Sequence, residues 1–193
     1  LLGFMSAAFA QKADEAAGFA NRPVRIVVGF GPGGLPDIYA RIIVPRLVEA
    51  LRQQIVVDNR PSAGGVIATQ IVAEANPDGG TLLSASSSHV IFPATRSRLP
   101  YDPLKDFAGI TMTATTTYLL VVAPALGVKS VQEFIAYAKS RPGQLNFSSA
   151  GTASGTHFAG EMLKQHANID ALHVPYRGIP EGLTDVMTGR VQF

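Results

Sequence analysis

The sequence predicts an α/β fold in which short strands alternate with helices as parallel βαβ units, in two successive halves. Three observations carry that prediction. Apolar, β-branched runs of four or five residues, such as 24–28 (VRIVV) and 55–58 (IVVD), alternate with longer segments of helical period. Two of the strands open into glycine- and hydroxyl-rich turns that lead directly into helices. The rhythm breaks over 86–106, where a serine cluster is followed by Pro93, Pro100 and Pro103, and it resumes near residue 130.

Each element has a local reason. After strand 24–28 comes Gly29-Phe30-Gly31-Pro32-Gly33-Gly34, and Pro36 and Asp37 open a helix near 36–52. Ile38, Ile42, Pro45, Val48 and Leu51 recur on one face of that helix, and Pro45 is expected to kink it. Strand 55–58 leads through Asn59-Arg60-Pro61 to a second glycine turn, Gly64-Gly65, and a helix through Ala75. Asn76-Pro77-Asp78-Gly79-Gly80 is a turn of high propensity that feeds strand 81–85 (TLLSA). Ser86-Ser87-Ser88-His89 reads as a polar loop. Strands are expected near 107–114 (FAGITMTA) and 118–123 (YLLVVA), with Thr115-Thr116-Thr117 crossing between domains. Then follow a helix over 130–140, strand 145–148, a helix near 154–166, strand 172–174 and a helix near 180–188. Val191-Gln192-Phe193 reads as the start of another strand, the pattern expected of a piece of a longer protein.

Composition narrows the function. With 47% hydrophobic and 16% charged residues the chain sustains a packed core, which excludes global disorder. A net charge of +2 with scattered basic residues excludes a nucleic-acid groove. Cysteine is absent, which removes disulfides, thiolate catalysis and Cys-ligated zinc, and suits an exported protein. The segment LLGFMSAAFA is apolar and small, and Ala8-Phe9-Ala10 before Gln11 fits an A-x-A cleavage site, so residues 1–21 are expected to be a signal-peptide remnant and leader. No other segment approaches the length of a transmembrane helix.

The two strand–turn–helix units carry the chemistry. In the first, backbone N–H groups gather at the positive end of a helix dipole, the setting for an anion. Gly29, Gly31 and Gly34 satisfy the G-x-G-x-x-G spacing of a dinucleotide loop, and Asp58 stands at the end of the next strand, where a ribose-binding acid belongs. Pro32 and Pro36 count against a pyrophosphate, because one stiffens the turn and the other removes a donor. The second unit runs from strand 145–148 into Ser149-Ala150-Gly151-Thr152-Ala153-Ser154-Gly155-Thr156-His157. A charge-assisted hydrogen bond contributes ~1.5–3 kcal/mol and a helix terminus ~0.3–1 kcal/mol, so two such loops hold a carboxylate with no arginine. Each loop taken alone also reads as an ordinary Ser/Thr helix cap. No G-x-S-x-G elbow is present, and His89, His157, His166 and His173 lack metal-ligand spacing, so neither a catalytic nor a metal site is expected. Asp37 is read as the brace of the first loop, and Tyr176 either lines a cleft or covers the core.

Together, RPVRIVVGFGPGGLPD, VVDNRPSAGG, ANPDGGTLL, LPYDPLKDFAGIT, FSSAGTASGTH and HVPYRG resemble the Bug-type solute-binding receptors of tripartite tricarboxylate transporters, in family order from about Arg22 onward. The resemblance implies a two-lobed type II periplasmic-binding-protein clamshell, here lacking its C-terminal part, with a first lobe over 22–114 and an incomplete second lobe over 115–193. It implies a periplasmic, non-enzymatic, cofactor-free receptor that acts as a monomer, takes a small carboxylate and serves membrane permease subunits. Carried over, the first-lobe site is Phe30, Gly31, Pro32, Gly33, Gly34 and Leu35 with Asp37, faced by Ser86, Ser87, Ser88 and His89. The second-lobe site is Ser149, Ala150, Gly151, Thr152, Ser154 and His157, joined by Tyr176 and Asp185. Gly29 stands where the family usually has proline, Ala153 replaces a frequent glycine, and Phe92 precedes Pro93 where asparagine is common. The alternative is a Rossmann-type nucleotide enzyme using the first loop. A third reading, the effector domain of a cytoplasmic regulator, requires a helix-turn-helix in place of the export segment.

Overall fold

In the computed structural model, which describes residues 22–193, Val24–Val28 (β1) is the middle strand of a three-stranded parallel sheet. Its valines and isoleucine are buried on both faces, the signature of a parallel strand covered by helices. Ile55–Asn59 (β2) pairs along one edge, from Val24 opposite Ile55 to Val28 opposite Asn59. Thr81–Ser84 (β3) pairs along the other, from Arg25 opposite Thr81 to Val28 opposite Ser84. The order β2-β1-β3 makes the C-terminal end of β1 the point where the chain reverses its winding, which is where open α/β sheets bind ligands. Helices Leu35–Leu51 (α1) and Val66–Ala73 (α2) follow β1 and β2, the latter through a 3₁₀ turn at Ala63–Gly65. Ser88–Thr95 (α3) follows β3.

A second parallel pair, Leu145–Ser149 (β4) and Ala171–Pro175 (β5), is joined by Gly155–Ala167 (α5). Val131–Lys139 (α4) precedes it, started by the Ser130 hydroxyl accepting the Glu133 N–H at 3.1 Å, and Ile179–Met187 (α6) follows it. Phe134, Ala138, Leu145, Phe147, Ile169, Ala171 and Phe193 form its core. The first sheet has its own core of Ile26, Val28, Phe30 and Ala40. The two halves touch: Ala153 packs with Val66, Phe92 and Tyr101 of the first half, and Ala150 leans on the Phe30 cluster.

The structure departs from expectation in four places. Neither 107–114 nor 118–123 is a strand: a strand exists by lateral pairing, and among the described residues none pairs with them. Of their backbone N–H groups, among the described residues only that of Ala123 is engaged, donating to the Gln192 carbonyl at 2.8 Å. Ser88 and His89 lie in the first turn of α3 and not in a loop, because Pro93 sits late enough in this short helix to leave its opening turns intact. The face of α1 turned to the sheet carries Ala40 and Val44, while Ile38, Ile42, Val48 and Leu51 are exposed; α1 runs as one element through Pro45. Val191–Phe193 lies along β4, exchanging bonds with Asn146 and Ser148, but is too short to count as a strand. The A-x-A site and leader fall outside the described residues.

Candidate functional site

The first loop is built around one buried carboxylate. Asp37, 2% exposed, accepts the Gly33 N–H at 2.9 Å through one oxygen. Through the other it accepts Arg41 Nε at 3.0 Å and Asn59 Nδ2 at 2.9 Å, and Asn59 also holds the Phe30 carbonyl at 3.0 Å. Burial alone would raise this carboxyl, but the bonds from Arg41, Gly33 and Asn59 outweigh it and hold it below the usual range. The turn requires Gly33 at φ 78°, a left-handed conformation. Phe30 is core, Gly31 and Gly34 are buried, and Pro32 is exposed. Leu35, the first residue of α1, has an N–H that donates to no protein group among the described residues.

The second loop is braced by side chains in the same manner. Ser154 caps α5 by accepting the His157 N–H at 3.2 Å, and Thr156 Oγ1 accepts the Ala150 N–H at 3.0 Å. His157 Nδ1 accepts the Ala153 N–H at 3.0 Å, which fixes that ring nitrogen as unprotonated and holds Ala153 at φ 62°. Behind it, the His173 ring stacks on His157 at 3.9 Å and bonds Ser149 Oγ at 2.7 Å. Burial, followed by the neighbouring His157, pushes His173 down to about 4, so the ring is neutral near pH 7. Burial lowers His157 as well. The N–H groups of Thr152, Gly155 and Thr156 donate to no protein group among the described residues, leaving three amides at the start of α5.

The remaining expected residues serve these loops unequally. Ser86 Oγ and Ser88 Oγ bond each other at 2.6 Å at the end of β3, and Ser87 Oγ meets Tyr118 Oη at 3.4 Å. His89 turns aside, with Nε2 at 3.1 Å from the Pro103 carbonyl and its ring between Tyr101 and Phe107. Tyr176 donates its hydroxyl to Asp185 at 2.7 Å, and Arg190 binds the other Asp185 oxygen at 3.2 Å. Asp185 therefore orients Tyr176, whose phenol is pushed up to about 12 by burial and by that carboxylate.

A cleft of about 260 Å³ is lined by Gly29, Pro61, Ser62 and Gly64 on one side and by Ala150 to Thr152 with Pro175 to Arg177 on the other, so the first loop reaches it only through Gly29 and most of that wall is the turn after β2. The walls are in contact. Gly31 donates its N–H to the Arg177 carbonyl at 3.3 Å. A Cβ on Gly64 would stand 2.6 Å from the Thr152 carbonyl oxygen, so only glycine admits this approach. Sequence reasoning gave no site role to Asn59, Ser62, Gly64 or Arg177, although the Asn-Arg-Pro turn and the second glycine pair marked most of that wall. Ser62 Oγ is buried without a hydrogen-bond partner among the described residues.

Several chemistries fit poorly. Asp58 is engaged by Arg25 at 2.7 Å and by Arg60 at 3.0 Å, so its carboxylate is not offered to a ribose. Among the described residues no cluster of three His, Asp or Glu is placed to hold a metal, and no helix is long and apolar enough to cross a membrane.

The family model described as "Tripartite tricarboxylate transporter family receptor" matches residues 39–193. The chain belongs to that family. A Pseudomonas sp. (strain P51) protein, "UPF0065 protein in tcbD-tcbE intergenic region", is 39% identical over 180 residues, 93% of this chain and 54% of the relative. The periplasmic binding protein BugD superposes with a TM-score of 0.79 at 28% identity, covering 89% of this chain and 57% of its own. MatC from Rhodopseudomonas palustris, solved with bound malate, gives 0.80 at 31%, with coverage of 89% and 59%. Rpa4515 from R. palustris, solved with adipate, gives 0.75 at 31%, with coverage of 89% and 58%. The chain thus has the α/β fold of periplasmic binding proteins, in line with a truncated two-lobed architecture, and spans about half the length of the curated relatives it matches.

Proposed function

We propose that the protein of which this chain is part is a periplasmic receptor that captures a small carboxylate between two lobes and delivers it to a membrane permease. The first lobe is assigned to 22–114 and the second to 115–193. One observation carries the reading: two strand–loop–helix units from different sheets meet at one cleft, with Gly29 and the turn after β2 on one wall and 150–152 on the other, and the loops keep amide N–H groups unpaired among the described residues at Leu35, Thr152, Gly155 and Thr156. Backbone amides and helix dipoles favour an anion, and a carboxylate accepts several N–H bonds at once. The malate and adipate seen in MatC and Rpa4515 support the same ligand class. The action is domain closure, with no covalent step and no cofactor.

The test is a thermal-shift screen of the full-length protein with mono-, di- and tricarboxylates and with NAD. A carboxylate at a hundredfold excess over its Kd is expected to stabilise by about 2.7 kcal/mol, while NAD leaves the melting temperature unmoved. Stabilisation by NAD with no response to any carboxylate contradicts the reading.

A further inference from the structure

We propose that Arg177 sets specificity in this cleft by binding the second carboxylate of a dicarboxylate whose first carboxylate sits on the loop amides. The proposal rests on the carboxylate-receptor reading and goes beyond it, because neutral amides recognise one carboxylate and are indifferent to the rest of the molecule. Among the described residues lining the cleft, Arg177 is the only Lys, Arg, His, Asp or Glu. Four arginines are committed elsewhere, Arg25 and Arg60 to Asp58, Arg41 to Asp37 and Arg190 to Asp185, and none of them shares a wall with Thr152 or Tyr176 in this cleft. The Arg177 side chain is exposed and makes no ion pair or hydrogen bond among the described residues.

Its backbone is nonetheless fixed. The Arg177 carbonyl accepts the Gly31 N–H at 3.3 Å, and the next residue, Gly178, is buried and caps α6. A tethered backbone with an uncommitted fork is suited to bidentate capture of a carboxylate that enters beside it. The nearby opposing charge is Glu181, which does not line the cleft and whose carboxylate oxygens lie within 4 Å of where Cβ atoms on Gly178 and Gly31 would stand.

The experiment is isothermal titration of the full-length wild type, Arg177→Gln and Arg177→Lys with matched acids, adipate against hexanoate and succinate against butyrate. The wild type is expected to prefer the better di-acid over its mono-acid about 10- to 100-fold, the range of a charge-assisted bidentate pair. Arg177→Gln is expected to abolish that preference while mono-acid affinity stays level; Arg177→Lys retains part of it. Equal weakening of both acids by Arg177→Gln, or an unchanged preference, overturns the proposal and leaves the receptor reading standing. A wild type that binds no carboxylate overturns both. Thermal melts of the unliganded variants, expected to match the wild type, separate lost specificity from lost folding.

Discussion

Asp37 contributes by holding other groups, not by reaching a ligand. Both of its oxygens are taken up by Gly33, Arg41 and Asn59, so replacing it removes the acceptor of the Gly33 N–H and of Arg41 Nε and leaves Asn59 Nδ2 only the Phe30 carbonyl among the described residues. Asp37→Ala is expected to cost about 2–3 kcal/mol, read as a lower denaturation midpoint of the full-length protein, and to weaken carboxylate binding. His173 makes a second residue-level prediction. Its folded-state value of about 4 lies below the ordinary 6.5, so between those values the unfolded chain binds the extra proton. Stability from this ring is therefore complete above pH 6.5 and is lost as pH falls toward 4. The loss is on the order of 2 kcal/mol once water around the part-buried ring is allowed for. Melting temperatures from pH 7 to 4 check this: His173→Gln should show a shallower decline than the wild type, and parallel curves would refute the assignment.

At the scale of elements, the decisive contact is loop against loop. Gly64 at φ 74° brings the turn before α2 against the Thr152 carbonyl and Phe92. Gly64→Ala places a methyl 2.6 Å from one and 2.8 Å from the other, so the walls must part. Carboxylate affinity is expected to fall at least tenfold, measured by titration, with a smaller change in the unliganded melting temperature. The loops were legible in the sequence because their signals are local: glycines where φ is positive, hydroxyls where a helix starts, an aspartate three residues after Gly34. What was illegible depends on partners distant in sequence. Residues 107–123 have a strand-like composition but no neighbour to pair with among the described residues. The stripe Ile38, Ile42, Val48 and Leu51 has a helical period, yet the sheet meets Ala40 and Val44, since period gives a face and not its orientation. Pro93 disguised α3, and Arg177 passed unnoticed because a lone arginine after a strand carries no pattern of its own.

For the whole molecule, two separately cored sheets share one cleft, and among the described residues they meet through a few backbone contacts and small apolar clusters around Ala150 and Ala153. Ala150 and Ala153 are the small residues that let the second half settle against the first. Such a junction is suited to opening and closing, because little apolar area has to be exposed when it parts. The central claim is that one anion is pinched by amides from both halves at once. Hydrogen–deuterium exchange of the full-length protein, with and without a saturating carboxylate, tests it most directly. Protection is expected to rise together in the amides of 30–35 and of 151–156, with little change on the distant faces of α1 and α4. Protection of one loop alone, or of neither at saturation, would contradict the account.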